Sequence, residues 1–139
     1  MAEADIIGAI VDLLKADSNI AAAGDLVFGG ELPANETANM PRRAIIVQPS
    51  GGVSLAAGSF INHDTQRVDL FCYGKTPYEA EDLRRLARRA LTSVRRRIVG
   101  GCLIHWAEPA GGFSAGRDRD AAWPVAFQSF QVFYALQEV

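Results

Sequence analysis

Histidines next to carboxylates are a natural first place to look for catalysis, and this sequence offers one such pair. His63 is followed directly by Asp64. Neighbouring residues on a strand point to opposite faces of the sheet, so the two side chains make a poor acid–base pair. The second histidine, His105, lies beside Trp106 in an apolar run, where a packed or edge histidine is the expected interpretation. Neither histidine predicts a catalytic site.

The cysteine and glycine motifs indicate no metal or phosphate chemistry. Cys72 and Cys102 each lie in an apolar, strand-like run, where a free thiol behaves as a small hydrophobic side chain. With only two histidines to accompany them, no spacing typical of a zinc site occurs. The glycine pairs do not match the phosphate-loop pattern G-x-x-x-x-G-K-S/T. The sequence therefore predicts a protein that is not an enzyme and has no catalytic residue, no metal and no cofactor.

Arginine is the residue type whose spacing stands out. Seven of the twelve arginines lie between Tyr78 and Gly100 in a chain of net charge −2, so any basic function would be local. On a helical wheel the apolar residues share one sector, and the opposite sector holds Arg84, Arg85, Arg88, Arg89, Arg95 and Arg96. Three interpretations stay open: a solvated helix face, a surface for acidic groups of a neighbouring protein, or a nucleic-acid contact, although no aromatic residues are interleaved for base stacking.

A second group of charges lies in the segment between Pro109 and Trp123. It consists of Arg117, Asp118, Arg119 and Asp120. These residues could close a local ion-pair network, or they could form a docking loop between subunits. Trp123 would then be an anchor, because buried tryptophan is enriched at binding hot spots.

The elements that must position these residues follow from periodicity and turn signals. Helical spacing predicts a helix over about 4–16, and period-two alternation predicts a strand over 66–74. The motif "TPYE" is typical of a capped helix start, with Gly100 as the stop. The remaining predictions are a short strand near 26–28, strands over about 44–48, 102–108 and 125–137, and a second helix from Pro77 to Val99.

This order predicts an α+β fold, with a mainly antiparallel sheet of about four strands and two helices packed on one face. Residues 1–139 are expected to form a single domain, with an extended arm around 51–64 and a charged loop around 109–123. The second face of strand 66–74 carries Phe71 and Tyr73, so a partner chain could cover it.

The N-terminal sequence carries acids where a signal peptide would carry bases. No apolar run approaches the length of about eighteen residues that a membrane span needs. We therefore expect a protein that is made in the cytoplasm and does not enter a membrane.

Four segments in this order carry a resemblance to a known family: "DLVFGGELP", "RAIIVQ", "QRVDLFCYGKTPYEAEDLRRLARRAL" and "FQSFQVFYAL". The most telling are the short element that ends in Leu32 and Pro33, and the strand "VDLFCYG" that leads directly into a helix opening on "TPYEAEDL". In this arrangement, over nearly its whole length, the chain resembles the tail-terminator or tail-completion proteins of long-tailed bacteriophages and gene transfer agents.

The resemblance implies a virion structural protein that terminates the tail tube and forms a hexameric ring at the head-proximal end, joining tail to head. The implied partners are copies of itself, the tail tube protein and a head-tail connector or stopper protein, with non-specific contact to DNA that passes through the ring. The implied location is the host cytoplasm during virion assembly and then the particle. A connector or stopper subunit, and a nucleic-acid-binding module, remain as alternatives.

Overall fold

The computed structural model describes residues 3–22, 26–51, 63–119 and 121–139. Within these ranges no helix is long and apolar enough to cross a membrane. The helices are α1 (Ile6–Ala16), α2 (Ser18–Ala22), a 3-10 helix (Ala34–Asn39) and α3 (Pro77–Thr92). The strands are β1 (Val27–Gly29), β2 (Ala44–Pro49), β3 (His63–Tyr73), β4 (Arg97–Val99), β5 (Cys102–Arg117) and β6 (Pro124–Ala135).

One six-stranded sheet has the strand order β1-β2-β3-β6-β5-β4. Strands β1 and β2 are parallel, and all other neighbouring strands are antiparallel. The predicted α+β class is confirmed, but the prediction of about four strands was too low. Strand β1 corresponds to the short strand predicted near 26–28, whereas β4 was not predicted; each has only three residues and lies at an edge of the sheet.

Buried side chains from each of the three α-helices lie in one core cluster with one face of the sheet. The residues of β3 in this cluster are Val68, Leu70 and Cys72, the alternate residues that period-two spacing predicts. Helix α1 contacts both β1 and β4, the two edge strands. The sheet therefore curves around the helices, and its opposite face carries none of their buried side chains.

The start of α3 follows the predicted capping pattern. The Thr76 hydroxyl accepts a hydrogen bond from the N–H of Glu79 at 3.2 Å, and the Glu79 carboxylate accepts one from the N–H of Lys75 at 2.9 Å. Gly74 precedes this turn, and a Cβ there would lie 2.6 Å from the backbone nitrogen of Ala80. The strand end and the helix start can meet this closely because residue 74 has no side chain.

The end of α3 differs from the prediction, because the helix stops at Thr92 and not at Val99. Arg95 donates from its guanidinium to the carbonyl of Thr92 at 2.9 Å, which satisfies an acceptor that the helix end leaves free. Arg96 then adopts a left-handed backbone with φ of 47°. The next three residues pair with β5 as β4, so the backbone of the β-branched pair Ile98 and Val99 gains sheet partners.

The predicted loop over 109–123 is also shorter in the structure. Strand β5 continues to Arg117 and pairs with β6 beyond a register shift between Pro109 and Phe113. Gly111, with φ of 106°, lies within this irregularity. Pairing with β6 therefore overrides the local glycine-rich composition, and only residues 118–123 connect the two strands. Of the arm predicted around 51–64, residues 52–62 lie outside the described part, and the last two residues already belong to β3.

Candidate interaction site

The sheet face opposite the helices carries paired aromatic rings. Phe71 and Phe127 face each other across β3 and β6 with their ring centres 5.1 Å apart. At the far end of the sheet, Trp106 stacks on Phe133 at 4.3 Å. Trp106 keeps 42% of its surface exposed. An exposed aromatic surface of this kind is typical of the centre of a protein interface.

A pocket of about 310 Å³ lies at this end of the sheet, and it is lined by His63, Asp64, His105, Trp106 and Phe133. The Nε2 atom of His105 lies 2.9 Å from Nδ1 of His63, a contact that the sequence did not suggest. Burial, followed by the neighbouring His63 and Arg96, lowers the pKa of His105 from its ordinary value. In the part of the chain that the structure describes, no group of three or more His, Cys, Asp or Glu residues could hold a metal ion.

The two cysteines are buried free thiols, as the sequence predicts. Burial raises the pKa of Cys72 to about 12 and that of Cys102 to about 11. Both side chains therefore stay protonated at neutral pH and act as hydrophobic residues of the core.

Arg84 was expected on the exposed face of the helix, but the structure buries it to 3% exposure. Its Nε donates to both carboxylate oxygens of Glu81 at 3.1 Å, and its Nη1 donates to Oε1 of Gln128 at 2.7 Å. The guanidinium carbon also lies 3.8 Å above the ring centre of Phe113. Arg84 thus connects α3 to the hairpin of β5 and β6, and its guanidinium is not available to bind another protein.

Two of the other predicted arginines have local partners in the structure. Arg85 lies 3.5 Å from the carboxylate of Asp82, one turn earlier on α3. Arg95 is no longer on the helix and donates to the backbone carbonyls of Thr92 and Val94. The positive charges of Arg85 and Arg95 therefore have partners within a few residues in sequence, although both side chains remain exposed.

Between residues 84 and 97, four exposed arginines form neither an ion pair nor a guanidinium hydrogen bond with any residue that the structure describes. We call them the arginine patch: Arg88, Arg89, Arg96 and Arg97. The first two lie on the last two turns of α3, Arg96 directly precedes β4, and Arg97 is the first residue of β4. The shorter helix therefore leaves Arg88 and Arg89 of the predicted row on α3, whereas Arg96 lies beyond the helix next to Arg97.

The turn that joins β5 to β6 is closed by its own hydrogen bonds. Arg117 donates from its guanidinium to the carbonyl of Ala122 at 3.0 Å, and the carboxylate of Asp118 accepts from the N–H of Ala121 at 3.0 Å. Arg119 is exposed, while Asp120 lies outside the described residues. The turn is a compact, charged tip at the end of a long hairpin.

Trp123, the predicted anchor, is half-buried at the base of this tip. Its ring meets that of Tyr73 edge to face at 6.1 Å. Burial, and next the charge of Asp118, raises the pKa of Tyr73. The structure thus gives Trp123 a partner within its own chain, on the same face as the other aromatic pairs.

One feature of the sequence, the polar residue Gln128 on the helix side of β6, indicates that a buried partner such as Arg84 is needed. Gln128 lies between Ala126 and Phe130, which are both buried on the helix side of β6. A polar amide at such a position needs a hydrogen-bond partner, because an unpaired buried polar group is costly. That requirement points to a donor on the helix that covers β6.

The fold is similar to that of a chain in a solved structure described as the virion of a native gene transfer agent particle. The TM-score is 0.67 with 14% sequence identity, and the alignment covers 94% of this chain and 94% of that chain. The solved structure of the bacteriophage SPP1 gp17 protein aligns with a TM-score of 0.46 and 18% identity, over 94% of this chain and 87% of that chain. No protein-family model matches the sequence, and no curated protein matches it.

Proposed function

We propose that this chain is a non-enzymatic structural protein of a bacteriophage or gene transfer agent particle. The observation that carries the proposal is the fold shared with a gene transfer agent virion chain over 94% of both chains. A match over nearly the whole chain supports a role for the fold as a whole in particle assembly. We place the protein in the particle after an assembly stage in the host cytoplasm.

Within the particle we propose the role of a tail-terminator subunit that completes the tail tube and supports head-tail joining. Its surfaces support such a role because they suit contacts with several protein neighbours. The helix-free sheet face exposes Trp106, the arginine patch lacks ionic partners within the described chain, and the 118–123 tip projects from a long hairpin. We assign these surfaces to neighbouring copies, to the tail tube protein and to the head-tail connector or stopper protein.

We further propose that the copies close into a ring, with six copies as the expected number. In a ring, one surface of each copy meets a different surface of the next copy. The candidate interface residues are the exposed arginines Arg85, Arg88, Arg89, Arg95 and Arg96, together with the tip residues Arg117 to Asp120 and Trp123. DNA that passes through such a ring would meet whichever arginines face the opening.

Deletion of the gene from the phage or gene transfer agent that encodes it tests this role. We expect electron microscopy to show heads and tails that remain separate, with tails of irregular length, and complementation with the wild-type gene should restore joined particles. Tails of normal length that merely fail to join heads would favour the connector or stopper role. Particles that are normal without this chain would contradict the whole proposal.

A further inference from the structure

The arginine patch concentrates positive charge on a molecule that is otherwise acidic. Seven of the 14 basic residues but only three of the 16 acids lie between Pro77 and Val99, so the rest of the chain carries seven basic and thirteen acidic residues. On α3, Arg85 and Arg89 are four residues apart, and like charges at this spacing destabilise a helix slightly. An anionic partner would reduce the repulsion between these arginines, so this surface is suited to binding negatively charged groups.

A group of exposed acids lies at the other end of the short edge strand β4. We call Glu3, Asp12 and Glu138 the acidic patch. The carboxylate of Asp12 lies 3.3 Å from the position of a Cβ on Gly100, and the Glu138 side chain lies 3.9 Å from that of Gly101. Glu3 is bridged to Gln137, the neighbour of Glu138. None of the three acids forms an ion pair with a described residue.

The edge of the sheet at β4 is therefore basic at its start and acidic at its end. Strand β4 has three residues, which span about 10 Å. Between the two patches the strand exposes Ile98, with 61% of its surface accessible. A polyanion such as DNA, laid along this edge, would be attracted at one end and repelled at the other. A second β4 edge that runs in the opposite direction would place its acids against these arginines and its arginines against these acids. Such a contact would also bury Ile98.

We infer that the arginine patch of one copy of this chain binds the acidic patch of a second copy. The partner is chosen by charge complementarity, since one surface of the same protein carries both signs side by side. A two-fold pair, in which the two β4 edges run in opposite directions, brings the two patches together at both ends. This pairing is a contact beyond the head-to-tail contacts of the proposed ring, and it does not rest on the proposed function, because it follows from the charges.

Two charge-reversed proteins test this contact. The first carries Arg96→Glu and Arg97→Glu, at the start of the β4 edge, and the second carries Asp12→Arg and Glu138→Arg, all at exposed positions. Light scattering at low ionic strength should show that wild type associates and that each variant alone has its dissociation constant raised at least about tenfold. An equal mixture of the two variants should associate again, because every patch then meets its opposite. Added salt should weaken the wild-type association.

The control protein carries Lys75→Glu, a charge reversal of the same sign as in the arginine variant, at an exposed site outside both patches and outside the 118–123 tip. It should associate like wild type, and circular dichroism should show that all variants are folded. A wild type that stays monomeric, or folded variants whose mixture stays monomeric, would overturn the inference. So would unchanged self-association with a loss of DNA binding in the arginine variant. Association through the patches by a protein that is absent from particles would contradict the proposed function but not this contact.

Discussion

At the scale of single residues, Arg84 and Gln128 determine how α3 is joined to the sheet. The helical wheel places Arg84 among the exposed arginines, because it considers only the direction from the helix axis. In the structure the β5–β6 hairpin extends far enough to cover that side of the helix with Phe113, while Gln128 supplies an acceptor at 1% exposure. Tertiary contacts with residues distant in sequence therefore decide the burial of Arg84.

Replacement of Arg84 by alanine is expected to lower the free energy of unfolding by about 2–4 kcal/mol. The buried oxygen of Gln128 loses its donor, and the carboxylate of Glu81 loses its cationic partner. Arg88→Ala on the exposed side of the same helix is the control and should change stability by less than about 0.5 kcal/mol. Urea unfolding followed by circular dichroism measures both. Equal effects of the two substitutions would contradict the assigned burial.

His105 is expected to make the protein less stable in acid. Its folded-state pKa is lowered from 6.5, first by burial and then by His63 and Arg96, whereas the unfolded chain binds the proton near the ordinary value. Protonation thus favours the unfolded state, and stability that is present above about pH 6.5 is lost as the pH falls. Urea midpoints at pH 7.5 and 5.5 should differ less in His105→Gln than in wild type. A His105→Gln protein with the same pH dependence as wild type would refute this role.

At the scale of elements, the start of α3 could be predicted from the sequence and its end could not. The start depends on Thr76 and Glu79, whose capping bonds are local in sequence. The end depends on Arg97 to Val99 gaining hydrogen-bond partners on β5, which no periodicity over that segment reveals. The same reason explains the glycine-rich segment 109–117, which pairs with β6 as a strand although its composition is typical of a loop.

Arg96 allows the end of α3 to be tested directly. Its φ of 47° lies in the left-handed region, which costs an L-residue about 1–2 kcal/mol. Arg96→Gly and Arg96→Ala both remove the same charge, but only glycine relieves the backbone. The glycine protein should be more stable than the alanine protein by about 1 kcal/mol in urea unfolding. An alanine protein of equal or greater stability would mean that residue 96 continues the helix.

At the scale of the whole molecule, composition and element order were enough to predict an α+β sheet with helices on one face. They also pointed to Phe71 and Tyr73 on the second face, where the structure finds aromatic pairs. The candidate site was harder to predict, because the arginines of a single stretch take three different roles. Arg84 is buried between α3 and the hairpin, Arg95 caps the end of α3, and the arginine patch is exposed to solvent. That division depends on where α3 ends and on how far the hairpin extends.

We propose that this chain is a structural component of the tail in a phage or gene transfer agent particle. A density map of the intact particle from electron cryomicroscopy tests this claim most directly. We predict a ring of copies of this fold at the head-proximal end of the tail tube. A particle whose map contains no copy of the fold would contradict the account.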